Sequence, residues 1–155
     1  MTTTRTAALP VVALLSRLEA AYLAEFDRRL LDSEFCSLSF AHSRNVLRHL
    51  GDGPQRAGRL VELAGVTKQA ISQQLVQLER AELVRTEPDP LDQRARLVAL
   101  TERGERAQAL VRQTFADIDD EWAMLLGAER FASLRDGLDD LLERVGPAEP
   151  PDTAC

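Results

Sequence analysis

The 155 residues suffice for one domain with an extension. At 45% hydrophobic and 28% charged they can bury a core, which excludes a disordered acidic chain. A net charge of −6 excludes a protein coated in basic residues, and no apolar run approaches the ~18 to 20 residues of a membrane span. Met1-Thr2-Thr3-Thr4-Arg5 leads into an amphipathic stretch, so no secretory leader is expected. Two cysteines cannot build a disulfide framework, and a reducing cytoplasm is the expected compartment. The charge is unevenly spread. Residues 1–55 carry six arginines against six acids, residues 56–106 nine Lys/Arg against eight acids, and residues 107–155 four arginines against eleven acids. The deficit therefore lies in the last third, which suits a nucleic-acid module in the middle of the chain with an acidic helical appendage.

Residues 1–9 read as a disordered arm. Val11, Leu14, Leu15, Leu18, Tyr22, Phe26 and Leu30 then recur at helical spacing and predict a helix over roughly 10–32, its stripe part core and part subunit seam. A second helix is expected from Ser39 to Leu50, stopped by Gly51-Asp52-Gly53-Pro54. A short helix, Ala57 to Ala64, is followed by the tight turn Gly65-Val66-Thr67. Thr67 then caps a helix over Lys68 to Ala81. The period next changes to that of strands. Leu83–Glu87 and Arg96–Leu100 predict a hairpin around a long, turn-rich tip, Pro88–Arg94. A long helix starts at Thr101 and runs to about Leu126, with Ala107, Val111, Thr114, Ile118, Trp122 and Leu125 along one stripe. Gly127 breaks it. Phe131, Leu134, Leu138, Leu141, Leu142 and Val145 mark a last amphipathic helix, and residues 146–155 read as a disordered tail.

Two short helices joined by a Gly-containing turn make a helix-turn-helix pattern. A steep turn lets the second helix enter a major groove. At ~100° per residue, Ala70, Ile71, Leu75 and Leu78 share one face of that helix, while Lys68, Gln69, Ser72, Gln73 and Gln77 lie largely opposite. Gln, Ser and Lys can read base edges. Lys68, the sole lysine beside eighteen arginines, opens this helix. A polar face alone is also what an ordinary solvated helix shows. The hairpin that follows adds the wing of a winged helix. At its tip Arg94 can enter a minor groove, with Asp92 expected to hold the guanidinium by a bidentate pair.

The ordered set Gly65-Val66-Thr67-Lys68-Gln69-Ala70-Ile71-Ser72, Leu78-Glu79-Arg80-Ala81-Glu82-Leu83-Val84, Asp89-Pro90-Leu91-Asp92-Gln93-Arg94 and Leu97-Val98-Ala99-Leu100-Thr101-Glu102-Arg103-Gly104 resembles the MarR (multiple antibiotic resistance regulator) family over roughly residues 10–145. The Asp-Pro-x-Asp-x-Arg wing followed by Leu-Thr-x-x-Gly is the most specific piece. The resemblance implies a mainly α fold with a small β-hairpin wing, in which a winged helix-turn-helix lobe joins a helical dimerisation domain. The first, fifth and sixth helices would dimerise. On that expectation 10–35 and 105–145 are dimerisation segments around a DNA-binding lobe, 36–104. The implied function is that of a homodimeric transcriptional regulator, a repressor released by a small ligand of aromatic or phenolic type or by thiol oxidation. Its partners would be double-stranded DNA with a pseudo-palindromic operator, a second copy of itself and a small effector, with no membrane. Two positions depart from the family pattern. Glu82 stands where Gly is usual, at a cost if the backbone is left-handed there, and Gln74 stands where an apolar residue is common.

The expected DNA-contacting set is Thr67, Lys68, Gln69, Ser72, Gln73, Gln77, Asp92, Arg94 and Arg96. A pocket between the dimerisation helices and the lobe, as the family has it, would draw on Phe26, Phe40, His42 and Phe115, each of which reads equally as core. Cys36 reads as a buried, inert thiol, and Cys155 as incidental. His42 and His49 lie two turns apart, ~10.5 Å of rise, too far for one metal ion. No phosphate-binding Gly loop, nucleophile elbow or His-x-Glu pattern is present, so no catalytic residue, metal or cofactor is expected. A winged-helix dimer that binds protein and no longer reads DNA is the competing reading. The salt dependence of duplex binding separates the two.

Overall fold

The computed structural model describes residues 9–146, so the expected arm and tail lie outside the described residues except for Leu9 and Gly146. The chain divides into two compact units, Met1–Phe115 and Ala116–Cys155.

In the first unit, helix α1 (Val11–Leu31) follows Pro10, whose carbonyl accepts the first bonds, from Ala13 and Leu14 N–H. Its apolar stripe has two fates. Phe26 and Leu30 are fully buried, whereas Val11, Val12, Leu14, Leu15 and Leu18 are exposed. Helix α2 (Phe40–Asn45) is shorter than its sequence pattern predicts. The backbone breaks at Val46 (φ −128°) and continues as a 3-10 turn, Leu47–Leu50. Val46 and Leu47 are fully buried, and the Gln108 amide donates to the Leu47 carbonyl at 2.7 Å. Burial of the apolar pair thus outweighs helical continuity, and Gln108 satisfies a carbonyl that the helix no longer serves. Ser39 caps α2 in a capping box closed by His42, and the Asp27 carboxylate accepts from Phe40 N–H at 3.0 Å.

A short strand, β1 (Gln55–Arg56), precedes α3 (Ala57–Ala64) and α4 (Lys68–Arg80). Strands β2 (Val84–Asp89) and β3 (Asp92–Leu100) follow, and α5 (Glu102–Leu126) begins in this unit. The antiparallel sheet has the order β1-β3-β2. β1 lacks a strand pattern of its own. Two residues suffice because β3 already presents a free edge for Gln55 and Arg56 to pair with Val98 and Leu97. The core is Phe26, Leu30, Leu47, Leu60, Ile71, Leu78 and Leu83, all at most 1% exposed.

The second unit holds the end of α5 and helix α6 (Ala128–Val145), which starts after Gly127 at φ +94°. Arg135 pairs with Asp119 across the two helices at 3.1 Å. None of the α6 side chains is buried, and Leu134, Leu141, Leu142 and Val145 are exposed. No helix among the described residues is long and apolar enough to cross a membrane.

Candidate nucleic-acid interface

Helices α3 and α4 are set against each other by their short turn. Gly65 takes the left-handed conformation (φ +64°) that ends α3, its N–H bonded to the Val61 carbonyl, and it permits the sharp reversal that a side chain would strain. Thr67 Oγ1 accepts from Ala70 N–H at 3.1 Å and so fixes the first turn of α4. Ile71 and Leu78, each 1% exposed, hold the inner face in the core, with Leu75 half-buried beside them. The opposite face leaves Thr67, Lys68, Gln69, Ser72, Gln73 and Gln77 exposed on one element. Val76 and Arg80 lie on the same exposed face. The 3–4 spacing from Gln69 and Ser72 could have placed both, but an apolar valine and a helix-ending arginine carry no polar-face signal of their own. Gln74 turns inward, where its Oε1 is buried with no hydrogen-bond partner among the described residues. A buried acceptor left unpaired costs on the order of 1–3 kcal/mol, which an apolar residue at this position would not incur.

The wing is longer in its strands and tighter at its tip than its turn-rich sequence implies. β2 runs to Asp89 and β3 starts at Asp92, leaving Pro90 and Leu91 as the turn. The register jumps between Pro88, opposite Arg96, and Asp89, opposite Asp92. Gln93, Arg94 and Ala95 therefore face no partner on β2 and form a bulge, a device that re-aims side chains. Arg94 and Arg96 are both exposed and take part in no ion pair among the described residues. Asp92 does not grip the Arg94 guanidinium as expected. Its Oδ1 accepts from the Arg94 backbone N–H at 3.1 Å, and the carboxylate holds the turn that carries the arginine. The cation that the tip acids do meet is Arg56 of β1. Its Nε and a terminal nitrogen donate to Asp89 Oδ2 at 2.8 and 2.5 Å, and the same terminal nitrogen lies 4.0 Å from Asp92 Oδ2. Asp89 Oδ1 accepts from Leu91 N–H at 2.8 Å. The Leu91 amide, and then Arg56, hold the Asp89 carboxyl below the usual carboxylate range, and Asp89 in turn raises the Arg56 guanidinium. Arg56 stands 33 residues from Asp89 in sequence, so no local pattern reveals the pair.

The joint between α4, the wing and α5 explains the Leu-Thr-x-x-Gly motif. Glu82 is left-handed (φ +59°), the sole non-glycine with positive φ among the described residues. Thr101 Oγ1 donates to the Glu82 carbonyl at 2.5 Å and accepts from Gly104 N–H at 3.0 Å, while Thr101 N–H donates to Leu83 O at 3.1 Å. A Cβ on Gly104 would stand 1.9 Å from the Leu83 carbonyl oxygen, so only glycine lets α5 approach the wing base.

Of the four expected pocket residues, three aromatics meet. The Phe26 and Phe115 rings stack at 4.7 Å, and Phe40 meets both edge-on at 5.7 and 6.1 Å. Phe26 is core. Phe40 and Phe115 line a cleft of about 440 Å³ with Leu47 and Val111, and Arg44, Arg48 and Arg112 share its lining. His42 is elsewhere. It is 8% exposed, and its Nε2 lies 2.7 Å from Gln77 Oε1 of α4. Cys36 is exposed rather than buried, because the chain between α1 and α2 inserts Phe35 and Leu38 into the core and turns the residue after Phe35 outward.

A helix-turn-helix followed directly by a wing defines the winged-helix class. Residues 38–95 match the model of the MarR family. The transcriptional regulator HosA of Escherichia coli is 35% identical over 85 residues, 54% of this chain, and the match spans 63% of HosA's length. The transcriptional regulator BldR of Sulfolobus solfataricus superposes with a TM-score of 0.67 at 25% identity, over 86% of this chain and 93% of BldR. Streptococcus pneumoniae FabT, solved in complex with DNA, shares the fold with a TM-score of 0.74 at 18% identity, over 87% of this chain and 94% of FabT. The central module thus matches the MarR family over residues 38–95, and the relatives it resembles are transcriptional regulators.

Proposed function

We propose that the chain acts as a homodimeric, sequence-specific DNA-binding regulator of transcription, a repressor released by a small ligand. The observation that carries this is the pairing, within one compact unit, of an exposed Lys68, Gln69, Ser72 and Gln73 face on α4 with an Arg94 held out on a bulge of the wing. The first set suits base edges in a major groove, and Arg94 suits the negative potential of a minor groove. Thr67, Gln77, Asp92 and Arg96 support the same surface, Asp92 by shaping the wing tip. That FabT has been solved with DNA accords with this use of the fold. Exposed apolar side chains on α1 (Val11, Val12, Leu15, Leu18) and α6 (Leu141, Leu142, Val145) suit coverage by a second copy. A symmetric pair of recognition helices then reads half-sites about one helical turn, ~34–36 Å, apart. The Phe40–Phe115 cleft, with arginines in its lining, suits an aromatic acid as effector. Cys36 is the only thiol among the described residues and has no resolving partner there, which favours ligand over oxidant control.

The test is binding to a duplex selected from random sequence and to a scrambled one, each at two salt concentrations. Arg94→Ala should weaken both by about 1–3 kcal/mol and lower the salt slope by about one. Alanine at Gln69 or Gln73 should erase discrimination between them. Salt-independent or absent duplex binding would leave the protein-interaction reading in its place. Sedimentation that finds a folded monomer at micromolar concentration would refute the dimer.

A further inference from the structure

We infer that His42 is a positioning residue which turns Gln77 into a fixed hydrogen-bond donor aimed at a DNA phosphate; this rests on the DNA-binding reading above. Ser39 N–H donates to His42 Nδ1 at 3.2 Å. A backbone N–H can only donate, so Nδ1 is the lone-pair nitrogen and the ring proton sits on Nε2. Nε2 faces Gln77 Oε1 at 2.7 Å. A donor on His42 requires the oxygen of the Gln77 carboxamide opposite it, which fixes the amide's sense. The Gln77 carbonyl is therefore engaged by the protein, and its NH₂ group, with two donors, is left on the exposed side of α4.

A free glutamine reads adenine by donating and accepting at once. Gln77 has lost the accepting half of that pair, and what it can meet is a group that only accepts. Phosphate oxygens are such groups. Its place on the helix agrees. Gln77 lies ten residues past the Thr67 cap, ~15 Å along the axis, whereas recognition helices read base edges with their N-terminal residues. At ~100° per residue it also sits at the border between the exposed face and the buried face, which is why α2 can reach it. Arg80, one turn on, is exposed beside it and lines the same shallow depression.

The link predicts a particular pattern of binding. Because the Gln77 donor is neutral, losing it releases no counterion and leaves the salt slope alone. Gln77→Ala should weaken selected and scrambled duplexes alike, about five-fold, one hydrogen bond's worth. His42→Asn can retain the acceptor for Ser39 N–H while removing the donor to Gln77, and should cost the same. His42→Gln, which can still reach Gln77, should bind like wild type. The double variant His42→Asn/Gln77→Ala should bind no more weakly than Gln77→Ala alone. Multiplying losses in the double variant, a loss confined to the selected duplex, or a changed slope would overturn the assignment. Ring nitrogen shifts of His42 in the DNA-free protein should report a proton on Nε2, and a proton on Nδ1 would refute the link. A wild type that binds neither duplex sinks the DNA-binding reading and the phosphate contact with it. The ring tautomer then still decides whether His42 holds Gln77.

Discussion

Gly104→Ala sets two physical effects against each other with opposite signs. Gly104 lies in the first turn of α5, where helix propensity alone predicts that alanine stabilises by up to about 1 kcal/mol. The structure predicts the reverse. The added Cβ would stand 1.9 Å from Leu83 O, 1.1 Å inside the 3.0 Å below which real Cβ atoms are essentially never found, and the obstacle is backbone. α5 must move away from the wing base. That movement breaks or stretches the two bonds that cross the joint, from Thr101 N–H to Leu83 O and from Thr101 Oγ1–H to Glu82 O. At ~1 kcal/mol each they contribute about 2 kcal/mol. Residual overpacking adds about 1–3 kcal/mol, and the propensity gain offsets about 1. The net expectation is a loss of roughly 2–4 kcal/mol, which moves a urea midpoint by about 1–2 M at an ordinary slope. The assay is urea unfolding at matched protein concentration, with Gly58→Ala as control. Gly58 is helical and a Cβ there meets nothing within 4 Å, so that variant should gain a few tenths of a kcal/mol. A Gly104→Ala protein as stable as wild type would refute the close-approach account of the Leu-Thr-x-x-Gly motif.

Glu82→Gly should stabilise by about 0.5–1 kcal/mol, because it relieves a left-handed residue that glycine adopts freely, and a melting temperature below wild type would contradict this. Asp92→Ala should weaken DNA binding even though it removes a negative charge near the duplex, since Asp92 anchors the backbone under Arg94; tighter binding in a filter or fluorescence titration would show that charge outweighs geometry there. Asp89 has a carboxyl depressed in the folded protein, so its contribution to stability is complete above about pH 4, its unfolded value, and is lost as pH falls through the lower folded value. Asp89→Asn should accordingly flatten the acid limb of a stability–pH curve, and an unchanged limb would sink the Arg56–Asp89 clasp as a stabilising contact.

Much of this protein is written in local patterns. Helical spacing and the Gly65 and Thr67 signals predict α3 residue for residue and α4 to within one residue, because a left-handed glycine and a hydroxyl cap act on their nearest neighbours. The exposed polar face of α4 follows from the same periodicity, since Ile71 and Leu78 must turn inward. The strain at Glu82 is expected only through the family resemblance, in which Gly is usual at that position, and the left-handed backbone there agrees with it. What tertiary structure decided has one common cause: it depends on partners distant in sequence. The break at Val46 arises because burial of Val46 and Leu47 and a bond from Gln108, 61 residues on, outweigh a continuous helix. β1 exists because β3 offers it an edge, and Arg56 meets Asp89 for the same reason. The register jump that sets Arg94 on a bulge belongs to two strands paired, not to either one. His42 leaves the expected aromatic pocket for Gln77, 35 residues away, because α2 packs with α4, and no spacing rule within either helix encodes which of its neighbours a buried imidazole will serve.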